Sequence, residues 1–249
     1  MLETLALNNS DLSLLILICF FAGVIRGFSG FGLSAFVMSL AVTIIPPIEL
    51  IPICWLMEFI AGFFLIKNGW KDSDKKISVT LWLGAIFGLP MGIFLTTKLD
   101  FQASKIVALM LILILSIILL RNFKLNFLST KLGTILAGVF AGVATGLASI
   151  GGMIVATYVL ASQNSARRMR ASLVVYILLN SLTTFIFLIL FDVMDQKAFL
   201  RGVLLALPCS IGVVLGSILF MQKLEKYYRS FLLGLLITFS IVGLIRLTG

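Results

Sequence analysis

The sequence predicts an all-α integral membrane protein made of two inverted repeats, each a glycine-broken hairpin plus three transmembrane helices. Three observations predict it. First, 61% of the 249 residues are hydrophobic and only 12% are charged, against about 25% charged in an ordinary soluble domain. Mean hydropathy is +1.18, so lipid must be the solvent for much of this surface. Second, the apolar residues fall into eight long runs separated by short polar stretches, which leaves no room for a sizeable soluble domain. Third, glycines recur at matching places in the two halves of the chain.

The runs lie at 12–45, 48–67, 77–98, 102–121, 130–161, 171–191, 201–221 and 229–247. Six have the length of one membrane helix, about 20 residues. The first and fifth are too long for one helix, and each is interrupted by glycines, at Arg26–Gly32 and at Gly142–Gly152. Gly23, Gly27 and Gly32 align with Gly142, Gly146 and Gly151; Glu58 aligns with Asn180; Gly88 and Gly92 align with Gly212 and Gly216; Arg121 aligns with Arg246. The offset drifts only from 119 to 125, so small gaps suffice. An internal repeat of this kind is a transporter signature. It divides the chain into halves 1–125 and 126–249, which together form one transmembrane domain.

Charge sets the expected topology. The basic loops Lys67–Lys76, Arg121–Lys131, Arg167–Arg170 and Lys223–Arg229 hold 13 of the 19 lysines and arginines. Cytoplasmic loops carry the excess of Lys and Arg. All four loops can be cytoplasmic only if 130–161 begins and ends on one side, as a re-entrant hairpin or as two crossings. The same reasoning applied to 12–45 puts the N-terminus outside, and the C-terminus with it. Each half then has an odd number of single crossings, and the halves face opposite ways. The net charge of +9 is therefore a topology signal. A nucleic-acid partner would call for a continuous basic stripe. The N-terminal segment carries acids and no basic n-region, unlike a cleaved signal peptide.

Catalytic and metal chemistry find little support. Histidine is absent, and Cys19, Cys54 and Cys209 lie far apart inside apolar runs. No metal site or cofactor is expected, and no HExxH, GxSxG or Walker A pattern occurs. The chain reads as a non-enzyme whose transport energy comes from gradients or from another subunit.

A binding site is expected at the glycine breaks. Irregular backbone at membrane depth must line a cavity or be buried in protein. Glycine-rich tips expose amide N–H groups, and adjoining helix N-termini carry partial positive charge. Two tips meeting near the midplane would hold a small anion. Candidate ligands are Gly27, Ser29, Gly30 and Gly32 from the first break, and Thr145, Ser149, Gly151 and Gly152 from the second. For the glycines the competing reading is close helix packing, which is the preferred one for Gly84, Gly88, Gly92, Gly212 and Gly216. For the hydroxyls it is a back-bond to the preceding turn. Arg26 lies deep in the first run, where a charge is costly. It either grips an oxyanion or snorkels to the interface. Glu58, in the middle of its run, either pairs with Arg26 or carries a coupling proton. Asn180, its repeat equivalent, opens a polar series with Ser181, Thr183 and Thr184 that suits either a sulfur oxyanion or interhelical hydrogen bonds.

The glycine-broken start of each half, the stretch Gly-Leu-Ala-Ser-Ile-Gly-Gly at 146–152, Arg-Ala-Ser-Leu at 170–173 and Asn-Ser at 180–181 together resemble the sulfite exporter TauE/SafE family, also called the sulfonate uptake permeases. The resemblance spans nearly the whole chain. It implies a multi-pass transporter of a prokaryotic cytoplasmic (inner) membrane that moves sulfite, sulfonates or related organic anions. It places the substrate at Gly27–Gly32 and Ser149–Gly152 with Asn180 nearby. Where relatives run three glycines together, this chain has Ile150-Gly151-Gly152, so a carboxylate-bearing or aromatic sulfonate stays open as substrate. The expected partners are the small anion and the lipid bilayer, with a coupling proton or cation and a homodimer as further options. A passive anion channel, or a membrane enzyme or accessory protein of sulfur metabolism working through the cysteines, are the alternatives.

Overall fold

A computed structural model describes residues 8–121, 130–161, 165–220 and 225–248. Among these the secondary structure is entirely helical. Each long, glycine-broken run folds as a long helix followed by a short one. The first gives α1 (Asn9–Ser29) and α2 (Leu33–Ala41). Three helices follow: α3 (Pro47–Asp72), α4 (Lys75–Lys98) and α5 (Phe101–Arg121). The second gives α6 (Lys131–Ala148) and α7 (Gly151–Ala161), followed by α8 (Ala166–Leu190), α9 (Gln196–Ile218) and α10 (Glu225–Thr248). Eight of these are long and apolar enough to cross a membrane. The expected junction between the halves, at 125/126, lies outside the described residues.

Local chemistry sets the ends. α1 stops where Gly30 takes a left-handed conformation (φ +80°) and its N–H closes on Arg26 O. Gly32 is also left-handed (φ +89°) and starts α2, so two glycines reverse the chain where a side chain would be strained. In the second half Ser149 itself is left-handed (φ +58°) and ends α6. Side-chain caps start five of the long helices: Asp74 for α4, Asp100 for α5, Thr130 for α6, Ser165 for α8 and Asp195 for α9. The Ser165 cap begins α8 five residues ahead of the apolar run at 171, drawing the Arg167–Arg170 cluster into its first turn. Such a cap satisfies an N–H that the helix leaves open.

The short helices fold back on the long ones. A Cβ built on Gly151 would lie 2.2 Å from Ala141 O and 2.1 Å from Thr145 Oγ1, which places the start of α7 against the last turns of α6. At 1.5 Å per residue, α2 and α7 are only about 14–17 Å long, half of what a crossing requires. The second arm of each break is thus shorter than a crossing helix.

Glycine faces pack the long arms onto the opposite half. α1 runs parallel to α9: Gly23 meets the Cys209 backbone and Gly27 that of Val213, while Gly212 and Gly216 meet Phe20 and Val24 in return. α6 runs parallel to α4 in the same manner, with Gly84, Gly88 and Gly92 against Ile135, Val139 and Val143. By contrast, helices at equivalent repeat positions run antiparallel. Along α3 and α8, Trp55 reaches Ser181, Gly62 meets Leu178 and Gly69 meets Val174. Along α5 and α10, Gln102 reaches Leu247, Gly243 meets Leu109 and Arg229 reaches Leu119.

α3 is tied at three levels to three other helices. Near its start Glu49 takes Arg201 of α9 at 2.6 Å. In its middle Glu58 takes Arg26 of α1 at 2.7 Å. At its end Asp72 takes Arg167 of α8 at 2.7 Å.

Candidate functional site

Glu58 fixes the depth of the site. It lies 11 residues from the start of α3 and 14 from its end, in the middle of the bundle. Ser34, just past the first hairpin tip, donates to Glu58 Oε1 at 3.1 Å. A Cβ built on Gly152, just past the second tip, would lie 4.0 Å from Phe31 Cβ in the first. The two glycine breaks thus meet beside the middle of α3.

A small pocket opens at this junction. Glu58 and Trp55 of α3 line it, with Thr145, Ser149 and Gly152 of the second hairpin and Tyr176, Ile177, Asn180, Ser181 and Thr184 of α8. Its volume is about 30 Å³, the share of a single water molecule in the liquid. Its polar groups are organised unevenly. Thr184 and Ser181 donate to the backbone one turn back, to Asn180 O at 2.8 Å and Ile177 O at 2.7 Å. Thr145 does the same to Ala141 O at 2.8 Å. Asn180 Nδ2 donates weakly to Thr145 Oγ1 at 3.4 Å. Asn180 Oδ1 and the Tyr176 hydroxyl, both buried, have no hydrogen-bond partner. Buried polar atoms are nearly always paired, so these two are suited to a ligand. At the tip, the N–H of Ser149 is taken by Thr145 O and that of Ile150 by Ala144 O. The N–H groups of Gly151 and Gly152 open α7 and have no intrahelical carbonyl within reach.

The structure sorts the sequence-derived candidates into two groups. Thr145, Ser149, Gly152, Asn180 and Glu58 share the pocket wall. Gly151 is one residue from it, packed on α6. The first-break residues stand behind the wall. Arg26 is fully buried and does not snorkel: its Nε donates to Glu58 and its Nη1 to Gly30 O, so it binds the hairpin turn to α3. Its Nη2 has no partner. Gly27 serves packing, since a Cβ there would meet Val213 O at 2.1 Å. Ser29 makes the back-bond, to Ile25 O at 2.7 Å, and also donates to Phe31 O. Gly30 lies against Arg170, and Gly32 turns the chain.

Four wall or wall-support residues escaped sequence reasoning: Tyr176, Ile177, Trp55 and Ser34. Tyr176 and Trp55 had a signal, because they precede Asn180 and Glu58 by four and three residues and so share a helix face with them. Cys19, Cys54 and Cys209 are free and buried, and among the described residues no group of His, Cys, Asp and Glu side chains could hold a metal ion.

A family model described as Sulfite exporter TauE/SafE matches residues 15–243. Neither the curated proteins nor the solved structures contain a significant match.

Proposed function

Because the chain belongs to the sulfite exporter TauE/SafE family, a family of membrane transporters and not of enzymes, we propose that it is a secondary transporter for a small sulfur-containing anion. Sulfite, a sulfonate or a related organic anion would bind where the hairpin tips meet and cross the cytoplasmic membrane of a prokaryote. The observation that carries this reading is the pocket at the junction: the side-chain-poor turn of the second hairpin lines it together with Asn180 and Tyr176, whose Oδ1 and hydroxyl make no hydrogen bond within the protein, and the turn of the first hairpin backs it. The open N–H groups of Gly151 and Gly152 and the positive end of α7 favour a negative ligand. Asn180 can turn its amide so that Nδ2 faces the anion, since O and N exchange places by a flip.

A pocket of about 30 Å³ is too small for a tetrahedral oxyanion without movement of the tips. A narrow pocket, in place of a continuous pore, favours a carrier over a passive channel. The antiparallel run of α3 against α8 and of α5 against α10 supports inverted repeats, the arrangement that lets one half rock against the other. The basic ends of α3 and α8 would face the cytoplasm, with both termini outside.

Glu58 is the proposed coupling group. Paired with Arg26 it leaves the junction neutral. A proton on Glu58 would leave Arg26 as net positive charge beside the pocket, so that proton and anion bind together. The test is flux of radiolabelled sulfite and of a short sulfonate into proteoliposomes, with and without a pH gradient. The expected outcome is saturable, gradient-driven accumulation in the wild type and loss of the pH response in Glu58→Gln. Flux that never exceeds equilibrium would replace the carrier with a channel.

A further inference from the structure

A second, much larger cavity lies on the same α3–α8 seam. It has a volume of about 390 Å³ and sits where the end of α3 meets the start of α8 and the end of α9. That is about a dozen water volumes, ample for a hydrated oxyanion. Its charged lining is Arg167, Arg170 and Asp72, with Leu65 and Val174 as apolar walls. Two arginines against one aspartate leave the cavity net positive.

The arginines differ in setting. Arg167 is 65% exposed and pairs with Asp72 at 2.7 Å. Arg170 is half-buried, stacks on Phe220 with its guanidinium carbon 4.5 Å from the ring centre, and donates to Gly27 O in the first hairpin. Its side chain also touches Gly30. A single side chain therefore lines the cavity and holds the turn of the first hairpin, which stands behind the wall of the inner site. The two spaces are neighbours along the seam: Leu65 is seven residues from Glu58, about 10 Å along the helix. Between them Gly62 of α3 closes on Leu178 of α8.

We propose that this cavity is the vestibule of the transport path, a first binding site for a small oxyanion. Arg167 and Arg170 hold the anion there, and Asp72 is a resident carboxylate that the incoming anion displaces from Arg167. This rests on the carrier reading above. The carboxylate makes loading competitive: an anion must outbid Asp72, and the freed Asp72 then repels it onward.

The test uses the full-length protein in proteoliposomes of one orientation, with sulfite supplied on the cavity side. Asp72→Asn removes the competitor and should lower the apparent KM about three- to ten-fold. Arg167→Gln should raise it by a similar factor and flatten its dependence on salt, because a screened charge has been removed. The double variant should behave as Arg167→Gln alone. Both positions lie at the protein surface, and a monodisperse gel-filtration peak verifies the fold of each variant. Unchanged KM in both variants, with transport intact, overturns the vestibule and leaves the carrier standing. No sulfite or sulfonate flux in the wild type defeats the carrier reading first. A phosphate of an anionic lipid has the same chemistry as the free oxyanion. A wild-type KM that climbs with phosphatidylglycerol content, and ceases to do so in Arg167→Gln, would assign the cavity to a lipid headgroup and overturn the proposal.

Discussion

The Arg26–Glu58 pair should respond to single and double removal in opposite ways. Arg26 is wholly buried and Glu58 nearly so, with Nε and Oε2 2.7 Å apart. Replacing Arg26 by Met leaves a buried carboxylate with only the Ser34 hydroxyl for company. Breaking a buried pair by removing one partner costs about 3–5 kcal/mol. A chain of this size shifts its midpoint by about 2–4 °C per kcal/mol, so Arg26→Met should melt roughly 6–20 °C lower. Replacing both partners, as Arg26→Met with Glu58→Leu, removes the charges together. Such a swap is often close to neutral, but the bond from Arg26 to Gly30 O is still lost. A hydrogen bond to a charged group is worth about 1.5–3 kcal/mol, so the double variant should recover about half of the loss. The assay is thermal unfolding of the purified protein in detergent, read by intrinsic tryptophan fluorescence or by aggregation. A double variant as unstable as the worse single would refute the reasoning, because the cost would then come from lost packing and not from an orphaned charge. In transport the double variant should also lose its pH response, as Glu58→Gln does.

Tyr176→Phe deletes a hydroxyl that has no partner in the protein, so it should leave stability unchanged or slightly higher while raising the transport KM. A hydrogen bond to a charged group is worth about 1.5–3 kcal/mol, which corresponds to roughly a ten- to hundred-fold rise, and Asn180→Ala should give at least as much. An unaltered KM in both would remove α8 from the site. Gly88→Ala would place a Cβ 1.9 Å from Val139 O and should force α4 from α6, whereas Gly234→Ala meets nothing within 4 Å. Overpacking costs about 1–3 kcal/mol and a helical Gly→Ala with room for the methyl gains about 0.5–1 kcal/mol, so the two should melt on opposite sides of the wild type in the same unfolding assay.

The sequence alone was enough for the class of protein and its family. A chain this apolar must be solvated by lipid, and helix length follows from bilayer thickness, so six single runs and two broken ones could be read directly from residue order. The glycine register is equally local information: Gly84, Gly88 and Gly92 advertise a packing face before any partner is known. Glu58 and Asn180 stood out because polar groups are rare at that depth. What the sequence could not supply was which breaks and faces meet. Only the tertiary structure pairs α1 with α9 and α6 with α4, brings Phe31 to Gly152, and turns Arg26 away from the pocket to secure Gly30 and Glu58. The same packing divides the candidates into wall residues from the second hairpin and supports from the first, although the two breaks look alike in sequence. The physical reason is that periodicity reports a residue's own helix, whereas a site is formed by side chains from several helices. Their mutual register is set by the close approach of backbones that no single segment encodes.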